Sequence, residues 1–173
     1  MTRGTSNTRV AEKTVLVLAA LLTLAAAGCG SEEVGEVRVV HLGLRTHSVD
    51  VGFDGERRVD GLSFLGSSGY LEALAGDLRL RVVSHEGSTV LVDKDLSLAS
   101  GGASTLFLTE DKDKFTALLA SDERTPASAA SPRLRFINAG VSTAAVALKS
   151  GSTTLVSSLG RGAISSYVTV KEV

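Results

Sequence analysis

The chain has 173 residues, with 18 Lys and Arg against 19 Asp and Glu, aromatic residues at 4 %, one cysteine and no tryptophan. A near-neutral charge with no basic stripe excludes binding to a nucleic-acid backbone. A single thiol excludes a disulfide framework, so the fold rests on apolar burial.

Residues 1–13 carry Arg3, Arg9 and Lys13 against Glu12, and the 14 residues 14–27 (TVLVLAALLTLAAA) are uncharged. A basic start, a short apolar run and small residues before a cut form the secretory pattern. The run is too short for a spanning helix, which needs about 20 apolar residues. It ends in Ala26-Ala27-Gly28-Cys29, which resembles a bacterial lipobox with Ala26 where Leu is usual. Cys29 is therefore expected to carry acyl chains (palmitate among them) and to become the mature N-terminus. Each buried CH₂ contributes about 0.8 kcal/mol, so two or three chains hold firmly where one does not. The expected location is exported and membrane-anchored: the outer membrane or periplasmic face in a Gram-negative envelope, the cell surface otherwise. Gly30, rather than Asp, follows the cysteine, which leans towards the outer membrane. Without residues 1–28 the chain keeps 145 residues and loses three basic groups and one acidic group, which leaves a net charge of −3. That length suffices for one ordinary core or two small ones.

Past Cys29 the pattern is alternation. Val37, Val39 and His41 share one face; Val49, Val51 and Phe53 alternate with Asp50, Gly52 and Asp54; Leu78, Leu80 and Val82 alternate with Arg79 and Arg81. Leu106 and Leu108, then Phe115, Ala117 and Leu119, continue it. The runs close on Asp54-Gly55, Ala75-Gly76, Glu86-Gly87 and Gly101-Gly102. Short alternating runs closed by such turns predict an all-β sandwich or barrel. The segment from Phe115 to Ser121 is expected to be strand rather than a helical turn. The Ser/Ala-rich stretch to Pro132, which holds both prolines, reads as a linker.

Beyond it the sequence repeats at an offset of 97: Arg38 meets Arg135, Gly43 meets Gly140, Ser68 meets Ser165 and Tyr70 meets Tyr167. This is an internal repeat. The expected organisation is a leader over 1–28, a tether over 29–35, a first β repeat over 36–120, a linker over 121–132 and an incomplete second β repeat over 133–173. Tyr70 and Tyr167 are expected in the core with their hydroxyls tied to backbone groups.

The strand Val37-Arg38-Val39-Val40-His41, the strand Val49-Asp50-Val51-Gly52-Phe53-Asp54-Gly55 and the segment Ser68-Gly69-Tyr70-Leu71-Glu72-Ala73-Leu74-Ala75-Gly76 resemble a bacterial extracytoplasmic family. That family is the domain of unknown function forty-three ninety-seven. The resemblance covers most of 36–119 and, more weakly, 133–173. It implies an immunoglobulin-like β-sandwich, often in tandem copies, and no established activity. Leu44-Arg45-Thr46-His47-Ser48 replaces the family's S-P-D-A-P loop, and the second copy has Asn138 for His41 and Ala147 for Asp50.

A metal centre can be drawn from His41, His47 and Asp50, with Asp54 nearby, because imidazole and carboxylate suit zinc. The plainer expectation is a solvated strand face or hydrogen bonding at the strand ends. Asp93, Asp95, Glu110, Asp111 and Asp113 offer oxygens for calcium, but Lys94, Lys112 and Lys114 interleave with them as on a soluble surface. Neither Gly66-Ser67-Ser68-Gly69 nor Gly160-Arg161-Gly162 makes a nucleophile elbow or a phosphate loop. No cofactor, no metal effect and no enzymatic activity are expected. The expected role is a structural or protein-interaction module, tied to lipid through Cys29, with an envelope protein as partner. The alternative is a glycan- or small-ligand-binding module, with a hydrolase a distant third.

Overall fold

The computed structural model describes residues 32–112, 114–125, 132–141 and 144–170. Cys29 and the leader lie outside these residues, as do Asp113 and residues 126–131 of the expected linker. The first eight strands are β1 (Val34–His41), β2 (Ser48–Phe53), β3 (Glu56–Ser63), β4 (Ser67–Leu74), β5 (Gly76–Ser84), β6 (Val90–Leu98), β7 (Ala103–Asp111) and β8 (Lys114–Asp122). Four more strands follow: β9 (Arg133–Leu134), β10 (Ala145–Ser150), β11 (Thr153–Gly160) and β12 (Val168–Thr169). The described residues are all-β, and 115–121 is strand.

Strands β1 to β8 build two four-stranded sheets, ordered β4-β1-β7-β8 and β3-β2-β5-β6. The sheets pack as an immunoglobulin-like sandwich. Within that layering the strand order is its own: β1 runs parallel to β7, and the other pairs are antiparallel. Alternation sets which side chains face inward. Val37, Val39, Val49, Val51, Leu78, Leu80, Val82, Leu106 and Leu108 are fully buried and form one core with Phe53, Phe115 and Ala117. Burying each Val or Leu contributes about 1.5–3 kcal/mol.

The β2–β3 hairpin turns at Asp54-Gly55, with φ of 51° and 87°. Two successive left-handed residues are what a tight hairpin of right-twisted strands needs, and Asp-Gly supplies them. On the outer face of the second sheet, Arg79 stands opposite Asp95 and Arg81 opposite Asp93. Arg79 reaches Asp93 at 2.7 Å and Asp95 at 2.9 Å.

The second copy repeats the register of the first at the same offset of 97. Val49 pairs with Leu62 and Val51 with Val59 in the first hairpin; Val146 pairs with Leu159 and Leu148 with Val156 in the second. The pair Val37–Leu71 recurs as Leu134–Val168. Loop bonds recur too. The Leu65 N–H donates to the His41 carbonyl at 2.8 Å, and the Gly162 N–H donates to the Asn138 carbonyl at 2.8 Å. Val39 N–H donates to Ser68 Oγ at 2.9 Å, and Phe136 N–H to Ser165 Oγ at 3.0 Å.

Strand β8 runs to Asp122, so the linker expected from residue 121 starts later. Asp122 joins the two copies. Its carboxylate accepts from Tyr70 Oη at 2.9 Å, Thr105 Oγ1 at 2.6 Å and Arg135 Nη2 at 2.6 Å. This corrects the expectation for Tyr70. It is half-buried between the guanidinium groups of Arg38 and Arg124, and its hydroxyl bonds a side chain. Tyr167 is also half-buried, beneath Arg135, and its hydroxyl accepts from the Glu123 N–H at 3.3 Å.

Candidate functional site

One end of the sandwich gathers the loop at 42–47, the turn at 64–66 and the turn at 85–89. These loops lie past the C-terminal end of β1. His41 braces them. It is fully buried, its Nδ1 accepts from the Gly43 N–H at 3.2 Å and its Nε2 contacts the Thr46 carbonyl at 2.9 Å. Because Nδ1 accepts, the proton sits on Nε2 and the ring is neutral. Burial holds its pKa below 6.5, against the opposing pull of the Thr46 carbonyl and Glu110. The ring also meets Phe64 and Phe115 edgewise or tilted.

Two apolar side chains project from this end. Leu44 is 59 % exposed and Leu65 is 70 % exposed. Leu65 has φ of 64°, a left-handed conformation that its counterpart Gly162 adopts at 67°. Leucine there is unfavourable by about 1–2 kcal/mol, whereas glycine is not. Between the loop at 42–47 and the turn at 85–89 lies a polar hollow of about 340 Å³, lined by Arg45, Thr46, His47, Ser48, Ser84, Glu86 and Gly87.

On the outer face of β2, just inside this end, Asp50 is 8 % exposed rather than solvated. Its Oδ1 accepts from the Gly61 N–H at 2.8 Å and bonds His85 Nδ1 at 2.7 Å. Arg57 Nη1 stands 3.4 Å from Asp50 and 2.6 Å from Asp60. Burial pulls the Asp50 carboxyl up, but the Gly61 N–H, His85 and Arg57 outweigh it and hold it below its ordinary value. The hydrogen bond and charge of Asp50 raise the pKa of His85.

The chain belongs to the DUF4397 family. That family, described as a domain of unknown function, matches residues 35–149, which takes in β1–β8 and reaches into β10. No curated protein matches the sequence. Among solved structures, the C-terminal domain of AlgF from P. aeruginosa is similar at 22 % identity, with a TM-score of 0.40 and coverage of 53 % of this chain and 100 % of that one.

The structure does not bring together the three residues from which the sequence allowed a metal centre. His41 spends both ring nitrogens on its own loop, and His47 lines the polar hollow. Asp50 instead meets Asp60 and His85. Asp54 accepts from the Arg79 N–H at 2.8 Å in its hairpin. The calcium candidates are also separated among the described residues. Asp93 and Asp95 pair with Arg79, Glu110 accepts from the Arg45 N–H at 2.9 Å, and Asp111 pairs with Arg161 at 3.1 Å. His85 and Asp60 were not legible as partners of Asp50. The available signal was weak: a histidine just before the Glu86-Gly87 turn.

Proposed function

We propose that this DUF4397 chain is an exported lipoprotein, held on a membrane through acylated Cys29, and that it carries out no chemistry itself. It presents the loop end of its sandwich to an envelope protein. The observation that carries the reading is Leu65, 70 % exposed at a left-handed φ of 64°. A leucine in that conformation works against the fold, and its side chain gains no burial in return. Contact with an apolar partner explains both. Leu44, 59 % exposed, lies in the loop whose neighbour His47 bonds the turn that carries Leu65. Loops held by a rigid sandwich are where binding residues concentrate. The polar hollow beside His47 supports a second reading, a small polar ligand or glycan at the same end.

Three experiments test this. Cys29→Ser is expected to abolish palmitate labelling and release the protein from membranes; unchanged partitioning contradicts the anchor. A photo-crosslinking residue at position 65 in the native envelope is expected to give a discrete protein adduct that the same residue at Glu56 does not. Leu65→Gly is expected to raise the melting temperature while weakening that partner's capture through a crosslinker at position 44. Equal adducts at positions 65 and 56 contradict the interaction end.

A further inference from the structure

We infer that Asp50, Asp60 and His85 form a site for one divalent metal ion of the zinc class. The site stands apart from the loop-end reading above and does not depend on it. One nitrogen and two carboxylate oxygens of these residues lie within 4.8 Å of one another. His85 Nδ1 is 2.7 Å from Asp50 Oδ1 and 3.7 Å from Asp60 Oδ1. Ligands about 2.0–2.2 Å from a tetrahedral ion stand about 3.3 Å apart, so these two separations bracket the required one.

Asp50 is the fixed corner. It sits on β2, which is paired on both sides, and the Gly61 N–H holds its Oδ1. A donor of that kind fixes the orientation of a ligating carboxylate. Gly61 reaches this position with φ of 60°, and a Cβ there would stand 3.4 Å from the His85 ring. His85 and Asp60 are the movable corners, with side chains 42 % and 67 % exposed. Arg57 now bridges the two carboxylates, but its side chain is 61 % exposed and free to swing out. The incoming ion takes over its positive charge. A nitrogen and two carboxylates suit zinc and its neighbours. Calcium wants six to eight oxygens, which this corner does not offer. Three protein ligands leave a fourth position for water.

The test is calorimetric titration of Zn²⁺ into the full chain carrying Cys29→Ser, which removes the lone thiol as a competing ligand. Saturable binding of one ion per chain is expected, with a rise in melting temperature. His85→Ala and the exposed Asp60→Asn are each expected to weaken binding at least tenfold. His47→Ala is expected to leave it unchanged, and Arg57→Gln to tighten it by removing the competing cation. No saturable binding at millimolar Zn²⁺ overturns the site. So does binding that survives His85→Ala, or binding that Arg57→Gln weakens.

Discussion

Val37 and Val49 are fully buried in the first copy, whereas their counterparts in the second, Leu134 and Val146, are 45 % and 37 % exposed. The local structure around them is the same. The hairpin registers coincide, and the left-handed residue at Leu65 recurs at Gly162. What differs is the cover. In the first copy β7 lies along the free side of β1, and β5 along that of β2. Among the described residues, β9 pairs only with β12 and β10 only with β11. Turns and registers are therefore written locally, while burial comes from strands far away in the chain.

The largest expected effect separates the two copies at equivalent positions. Val51→Asp places a charge in a fully buried site and is expected to unfold the sandwich, a loss above about 4 kcal/mol. Leu148→Asp, its counterpart, is expected to cost under about 2 kcal/mol because that side chain is only partly covered. Urea denaturation of both variants measures the gap, and equal losses would break the comparison.

Next in size is the joint between the copies. Asp122→Ala leaves Tyr70, Thr105 and Arg135 without their shared acceptor. A loss of about 2–3 kcal/mol is expected. Faster amide exchange across β9–β12 is expected with it, while β2 and β5 stay protected.

The smallest effect concerns His41 and its counterpart Asn138. The folded state keeps His41 neutral, with a pKa below 6.5. Above that value neither state is protonated at this ring, so it contributes no pH dependence. As pH falls through 6.5 the unfolded chain takes up the proton first, and stability is lost down to the lowered folded value. His85 acts in the opposite sense: its contribution is present below 6.5 and is lost as pH rises through its raised value. The His41 component is therefore read as a difference. His41→Asn is expected to flatten the loss of stability on the acid side of 6.5. An unchanged slope in that variant would show that the ring is not the source.

The sandwich was legible because alternation needs no partner to be read. Val37, Val39, Val49, Val51, Leu78, Leu80 and Val82 stand at every second position, and all are buried. The strand order was not legible, because the parallel pairing of β1 with β7 joins residues more than sixty apart. The partners of Asp50 were not legible for the same reason. Its place in an alternating strand allows a solvated face or strand-end hydrogen bonding, and the choice falls to Gly61 of β3 and His85 just past β5, which close over it. His41 shows the limit from another side: its buried position follows from alternation, but its loop-clasping bonds depend on how residues 42–46 fold back.

Residue-resolved hydrogen exchange on the intact chain tests the central claim most directly. If two copies share one register but differ in cover, Val51 and its β2 neighbours exchange slowly. Leu148 and the rest of β10, paired on one side only among the described residues, then exchange orders of magnitude faster. Equal protection of β2 and β10 in the monomeric protein would contradict the account, because it would mean that the second copy is as fully covered as the first.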